Sequence, residues 1–376
     1  MADGNWIEVA GAGEGGDPVA ALQDALAQVL GGLIRAKAGP NLLREMVWAA
    51  PDPASIHPAR LAVDRAWREV FAGFRPPVRV ERSPDAYVHV LARAARPPET
   101  ATAAVVYQDY DAAELAQQMS PRSQVPDMVA VFRQWSADGA AARAGLGGLD
   151  LAYGPKRENM LDLYRPQADE RPPVWVFIHG GYWQASSKDQ HAQFCKGMLD
   201  AGFAVANVDY SLAPETPLAD IVKEIRLALR FLKREAGHLG IDGEDIHVAG
   251  HSAGGHLAAW AAADTDGVPV KSALLLSGIF DLEALRPIPM GKVLGLNTRA
   301  LARRLSPLEM PKPQGLRVRL ALGALESEEF KRQSAAMAQH WRAPPPLHVD
   351  GAHHFNLLDG LNGGPLLQLA LESAGR

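Results

Sequence analysis

From Leu149 onward, short apolar runs alternate with longer stretches whose apolar residues recur at helical spacing. The runs LDLAY, MLDLYRP, VWVFIHG, FAVANVDY, DIHVAGH, VKSALLLSG, RVRLALG and PLHVDG are strand-length and rich in Val, Ile and Leu. Helices fit between most of them, over 188–201, 217–236, 253–263 and 327–340, with one more near the C-terminus. Near-continuous apolar strands joined by helical crossovers predict an α/β architecture. Its sheet is mostly parallel and covered on both faces.

The first residues, 1 to about 95, carry a smaller pattern of their own. WIEVAG, LLREMVWAA, PPVRVER and DAYVHVLARA read as strands. Asp17-Pro18 supplies an N-cap and first helical residue for a helix reaching about Lys37. Along it Ala21, Leu22, Ala25, Leu26, Val29, Leu30, Leu33 and Ile34 form one apolar face. A second helix spans about Pro58 to Ala72, with Leu61, Val63, Ala66, Trp67, Val70 and Phe71. RPPETAT, Arg96 to Thr102, has linker composition. Val105 to about Gly148 is helical but irregular, broken at Pro121 and Pro126. The domains expected are a small α/β unit over 1–96, a linker and helical segment over 97–148, and an α/β catalytic unit over 149–376.

Composition narrows the class. The chain has 376 residues, 47% hydrophobic and 22% charged, as ordinary globular domains do. A formal net charge of −5 leaves no footprint for nucleic acid or an anionic membrane. The single cysteine, Cys195, excludes an internal disulfide and suits a reducing compartment; its expected role is a small buried hydrophobe. There is neither an N-terminal signal pattern nor a run of ~18 apolar residues, so a cytoplasmic protein is expected. Gly11 to Gly16 formally reads G-x-G-x-x-G, but the strand before it is short and no acid ends a second strand ~20 residues on. The expected reading is a flexible glycine turn. No H-E-x-x-H and no Cys/His cluster occurs, so neither metal nor cofactor is expected.

The chemistry concentrates in IHVAGHSAGGHLAAW. It holds a G-x-S-x-G, Gly250 to Gly254, between an apolar strand and an Ala-rich helix. That strand–turn–helix context is what an exposed nucleophilic serine needs, so Ser252 is the candidate nucleophile. The glycines on either side avoid crowding a tight turn. A serine hydroxyl needs a base, and the base an orienting acid, in the order Ser, acid, His for this kind of sheet. His256 and His340 sit inside helices and His348 inside a strand. His353 and His354, in GAHHFNLL after the last strand, remain as bases, and spacing alone leaves both open. Glu326, the first carboxylate past RVRLALG, is the candidate acid, with Asp281 as its rival; the plain role for Asp281 is a helix cap. HGGYW then finds a use as an oxyanion loop. Its donors would be the N–H groups of Gly181 and Tyr182, joined by that of Ala253.

HGGYWQ with SSKD close behind resembles the arylformamidases (kynurenine formamidases) of the α/β-hydrolase superfamily. DYSLAP, GHSAGGHLAA, LLSGIFDLEAL, LGALESEEFKRQS and GAHHF extend the resemblance over about Leu149 to Leu361. It implies an α/β-hydrolase fold and a metal-independent serine hydrolase. It makes His354, which directly precedes Phe355, the base, and places Glu326 where the family usually has Asp. The implied reaction is hydrolysis of a small-molecule substrate, N-formyl-L-kynurenine, to kynurenine and formate. Tyr182, Trp183 and Phe355 would be flat apolar walls for an aryl leaving group. The alternative in the same fold is a carboxylesterase for small acyl esters. The N-terminal region is similar to the reactive-intermediate deaminases (Rid or YjgF-like proteins), a chorismate-mutase-like fold, through GDPVAALQDALAQVLGGLIRAKAG, HPARLAVDRAWREVF and PPVRVERSPDAYVHVLARA. That resemblance places Arg79 where the family holds a substrate carboxylate. Val88-His89-Val90 stands in place of the family's acid, so a structural or oligomerising role is expected. A homo-oligomer through this domain is the partner implied, and an assembling scaffold with an accessory hydrolase is a further alternative.

Overall fold

The computed structural model describes residues 6–14, 16–36, 43–71, 76–95, 104–125, 128–167, 171–264 and 267–376. The linker expected over 96–102 lies outside them, as does Pro126. The chain forms two compact units, Met1–Phe132 with Ala284–Val293, and Arg133–Glu283 with Leu294–Arg376.

The first unit is a four-stranded sheet in the order β1-β4-β2-β3. Its strands are β1 (Trp6–Gly13), β2 (Leu43–Ala50), β3 (Val78–Arg82) and β4 (Val88–Ala95), and its helices are α1 (Pro18–Arg35) and α2 (Leu61–Phe71). β2 and β3 are parallel; the other pairs are antiparallel. The apolar face read from α1 is the buried one, from Ala21 to Leu33, and Val63, Ala66, Trp67, Val70 and Phe71 of α2 are buried too. Each fully buried Leu or Val contributes about 1.5–3 kcal/mol. Trp67 stacks on Phe71 at 4.4 Å and tilts against Trp48 at 6.1 Å. The expected glycine turn is corrected here: Gly11 and Gly13 lie inside β1, beneath α1. A Cβ on Gly11 would stand 2.0 Å from the Ala25 carbonyl oxygen, and one on Gly13 1.8 Å from that of Ala21. They are glycines so that helix and strand can touch. α3 (Ala112–Gln118) opens on an Asp111–Glu114 capping box, and a 3-10 turn over Pro121–Gln124 follows. The Arg122 guanidinium donates to the Arg68 carbonyl at 2.5 Å, fastening this segment to α2. α4 (Met128–Leu146) leads out of the unit.

The second unit is built on an eight-stranded sheet in the order β12-β11-β10-β9-β7-β8-β6-β5. The strands are β5 (Leu151–Ala152), β6 (Met160–Tyr164), β7 (Pro173–Ile178), β8 (Ala204–Val208), β9 (Asp242–His251), β10 (Val270–Leu276), β11 (Arg317–Gly323) and β12 (Leu347–Val349). From β12 to β8 all neighbours are parallel; β6 and β5 close one edge antiparallel. The crossover helices are α5 (Lys196–Asp200), α6 (Leu218–Leu239), α7 (Ala253–Ala263), α10 (Glu328–His340) and α11 (Gly364–Ala374). The helix expected over 188–201 is a 3-10 turn, Asp189–Cys195, followed by the short α5. Between β10 and β11 the chain makes a detour that the periodicity did not single out, with α8 (Pro289–Val293) and α9 (Arg299–Leu305). Every residue of β8 is buried, as expected for a central strand of a doubly covered sheet.

Candidate active site

At the candidate nucleophile the backbone is forced. β9 runs into Ser252, which has φ 58° and ψ −119°, and α7 starts at Ala253. A non-glycine residue held there costs about 1–3 kcal/mol. The Ser252 amide donates to the Leu276 carbonyl at 2.8 Å, and its own carbonyl accepts the His256 amide at 3.2 Å. Close packing does the rest. A Cβ on Gly250 would lie 2.1 Å from the Gly254 oxygen, one on Gly254 2.0 Å from the Ile178 oxygen, and one on Gly255 2.9 Å from Gly278 Cα. The flanking glycines let strand and helix cross within one turn.

The candidate acid and base follow the last two strands. Glu326 follows β11 and His354 follows β12, each 3% exposed. Their side chains meet with His354 Nδ1 2.7 Å from Glu326 Oε2. The other carboxylate oxygen accepts the Ser277 hydroxyl at 2.5 Å and the Gly323 amide at 2.8 Å. Burial alone would raise the Glu326 pKa. The His354 charge and the bonds from His354, Ser277 and Gly323 outweigh it and hold the carboxyl below its ordinary value. An ionised Glu326 keeps the Nδ1 proton in place, leaving the opposite ring nitrogen of His354 to accept a proton. Asp281 is elsewhere: its carboxylate caps the Glu283 amide at 3.0 Å. His353 turns its Nδ1 to the amides of Phe355 and Asn356, at 3.1 and 3.3 Å. The geometry therefore pairs Glu326 with His354. His256 and His340 each reach a carbonyl, of Leu305 and Met310.

The candidate oxyanion loop begins where β7 ends. Gly181, Tyr182 and Trp183 have φ of 110°, 54° and 56°, a run of left-handed residues of which the sequence marked only the glycine. The amides of Gln184 and Ala185 both donate to the Gly181 carbonyl at 3.0 Å, closing the turn. Among the described residues the Gly181 and Ala253 amides make no hydrogen bond within the protein. A Cβ on Gly180 would lie 3.1 Å from Ser252 Cβ, so the loop passes against the nucleophile. The His179 ring donates from Nδ1 to the Gly180 carbonyl at 2.7 Å and stacks on Tyr210 at 4.4 Å. The Tyr210 hydroxyl donates to the His179 carbonyl at 3.0 Å. SSKD fixes the far end of the loop. The Lys188 amide donates to Asp209 at 2.6 Å, and its buried ammonium lies 2.7 Å from Asp150 and Asp189 and 3.1 Å from Asp162. Burial would lower the Lys188 pKa, but those three carboxylates outweigh it and raise it.

The expected aromatic walls separate. Tyr182 and Phe355 keep 7% and 6% of their surface exposed, while Trp183 keeps none and packs edge-on to His256 at 5.0 Å. With no exposed surface Trp183 supports the loop from inside, which corrects its expected place as a pocket wall. Trp135 of α4 was not singled out; it meets Phe355 at 6.0 Å and His191 at 5.1 Å. Nothing in the irregular helical pattern of that segment marked it. Ser277 and His251 were also missed, since a serine or histidine at a strand end carries no motif of its own. In the first unit Arg79 lies on the edge strand β3, exposed, and pairs with Glu81 at 2.8 Å. Cys195 is buried, as expected. Among the described residues no helix is long and apolar enough to cross a membrane.

A G-x-S-x-G elbow on a parallel sheet, with a Glu–His pair beyond the next strands, defines a serine hydrolase of the α/β-hydrolase fold. Comparison with known proteins agrees. The BD-FAE family model matches residues 161–273. Kynurenine formamidase of Danio rerio is 30% identical over 199 residues, half of this chain and 66% of that protein. Kynurenine formamidase of Salmo salar is 27% identical over 72% of this chain and 99% of its own length. Among solved structures, a candidate thioesterase from Silicibacter sp. TM1040 superposes with a TM-score of 0.59 at 29% identity, over 64% of this chain and 92% of its own. The chain is a kynurenine formamidase-like α/β-hydrolase.

Proposed function

We propose that the protein hydrolyses an aryl formamide, N-formyl-L-kynurenine being the substrate best matched, to the aryl amine and formate. The Ser252 oxygen attacks the formyl carbon while His354 takes its proton. Amides of Gly181, Tyr182 and Ala253 receive the oxyanion. His354 then gives its proton to the leaving nitrogen, the C–N bond breaks, and formyl-Ser252 remains. Water, deprotonated by His354, releases formate and restores the serine. The observation that carries this reading is the Glu326–His354 pair at 2.7 Å beyond a strained Ser252, in a chain with formamidase relatives.

The rest of the site supports a small acyl group. Gly180 passes against Ser252, and Trp183 is fully buried, edge-on to His256. Formyl, the smallest acyl group, needs the least room there. The rival is a carboxylesterase for small acyl esters using the same residues. Turnover of N-formylkynurenine and of a p-nitrophenyl ester should be measured side by side, with Ser252→Ala as control. Fast formamide turnover that Ser252→Ala abolishes is expected. Ester turnover with the formamide untouched gives the site to the esterase.

The N-terminal unit is proposed as an assembly module, its Arg79 being exposed and paired with Glu81. Light scattering on the full chain and on a chain truncated near Thr102 tests this; equal subunit numbers end it.

A further inference from the structure

We infer that His251, the residue before the nucleophile, is a positioning residue that sets the base His354 and the oxyanion loop in register with Ser252. This rests on the serine hydrolase reading of the site. His251 is 2% exposed, and its Nε2 lies 2.8 Å from the backbone oxygen of His354. A carbonyl can only accept, so the proton is on Nε2 and Nδ1 presents a lone pair. The two imidazoles are 4.5 Å apart between centroids. The other side of the ring faces the oxyanion loop: a Cβ on Gly180 would stand 3.1 Å from His251 Nδ1 and 3.0 Å from the His251 oxygen. Among the described residues that Nδ1 has no hydrogen-bond partner.

One side chain thus touches the three segments that a serine hydrolase must hold together. Its backbone leads into the elbow, its donor grips the base loop, and its Nδ1 and backbone oxygen limit how near Gly180 can come. Burial first, then the neighbouring His354 and His191, keep its conjugate acid well below the ordinary histidine range. The ring therefore stays neutral beside the imidazolium that His354 becomes in each turnover. A second cation there would oppose that step.

The test reads Ser252 without needing the natural substrate. A fluorophosphonate probe reacts as the serine oxygen bonds phosphorus, fluoride leaves and His354 takes the proton. Its maximal rate and its half-saturating concentration are measured for the native chain, His251→Gln, His251→Asn and His251→Leu. Gln places a donor near the position of Nε2; Asn is too short, and Leu fills space without donating. Expected is a maximal rate about 10- to 100-fold lower for Asn and Leu, the scale of a displaced catalytic group, with half-saturation unchanged. Gln should stay within about threefold of native, as the donor is kept. Equal rates for Asn and native, or equal loss in Gln, Asn and Leu, overturn the inference. Failure of the native chain to label at Ser252 overturns instead the serine hydrolase reading on which it rests.

Discussion

The two sides of the site are held by different forces. On the nucleophile side, strand end, elbow and the loop after β7 are pressed together where Gly250 and Gly254 leave no room for a methyl group and Gly180 leaves little. On the acid–base side, Glu326 receives the His354 ring, the Ser277 hydroxyl and the Gly323 amide, and position is set by hydrogen bonds. Packing is steep in distance, and a single added methyl group there must displace backbone. Hydrogen bonding is steep in chemistry: a lost partner leaves a buried charge unsatisfied without moving the chain far. Among the glycines of the nucleophile side, added volume should therefore be what harms activity. The acid–base side should respond to isosteric substitutions.

The sharpest break is Glu326→Gln, which keeps the volume and removes the charge. A drop of about 10³- to 10⁴-fold in kcat is expected, from loss of the oriented, stabilised imidazolium. Retention of more than a tenth of the native rate would remove Glu326 from the mechanism. Next is Gly180→Ala, which changes volume alone. Its methyl would meet the His251 oxygen at 3.0 Å and Ser252 Cβ at 3.1 Å. A loss of about 100-fold in kcat with little change in melting temperature is the expected result, since the loop shifts rather than the core. Unaltered kcat would show that the loop does not position donors.

Ser277→Ala should cost about tenfold in kcat, one charge-assisted hydrogen bond. It also changes the acid limb of stability. The folded pKa of Glu326 is depressed, so its contribution is present above the unfolded value and is lost as pH falls through the folded one. With one of the depressing bonds gone, acid unfolding of Ser277→Ala should begin at a higher pH than in the native chain, read by circular dichroism. Coincident acid transitions would deny the bond any part in holding the charge. The smallest effect belongs to Asp281→Asn. Asparagine still caps the Glu283 amide, so activity should stay within about twofold and stability within about 0.5 kcal/mol. A large loss of activity there would reopen the choice of acid.

Much of this was legible before folding. The twelve expected strands all appear, and the helix expected over 253–263 has those bounds. Their patterns are dictated locally: an apolar strand, an Ala-rich helix and the turn between them need no distant partner to be recognised. Gly11 and Gly13 show where that logic stops. They looked like turn residues because glycine is permissive, yet here they serve the approach of α1 to β1, which only packing reveals. Trp183 shows the same limit, its ring turned inward by a left-handed backbone that no residue preference favours.

The sequence by itself determined the order of strands and helices, the serine between its glycines, and the short set of acids and bases that follow it. Its periodicities record which faces avoid water, and its motifs record turns made within a few residues. Tertiary structure brought His354 rather than His353, and Glu326 rather than Asp281, into one hydrogen-bonded pair, because that pairing depends on which side chains meet across separate strands. It also brought the Ser277 hydroxyl to Glu326 and the His251 ring to the His354 backbone, Ser277 directly after β10 and His251 at the end of β9. Their partners lie 49 and 103 residues away along the chain. A residue's local sequence carries no record of contacts made at that separation; they exist once the parallel sheet brings its strand ends to one edge.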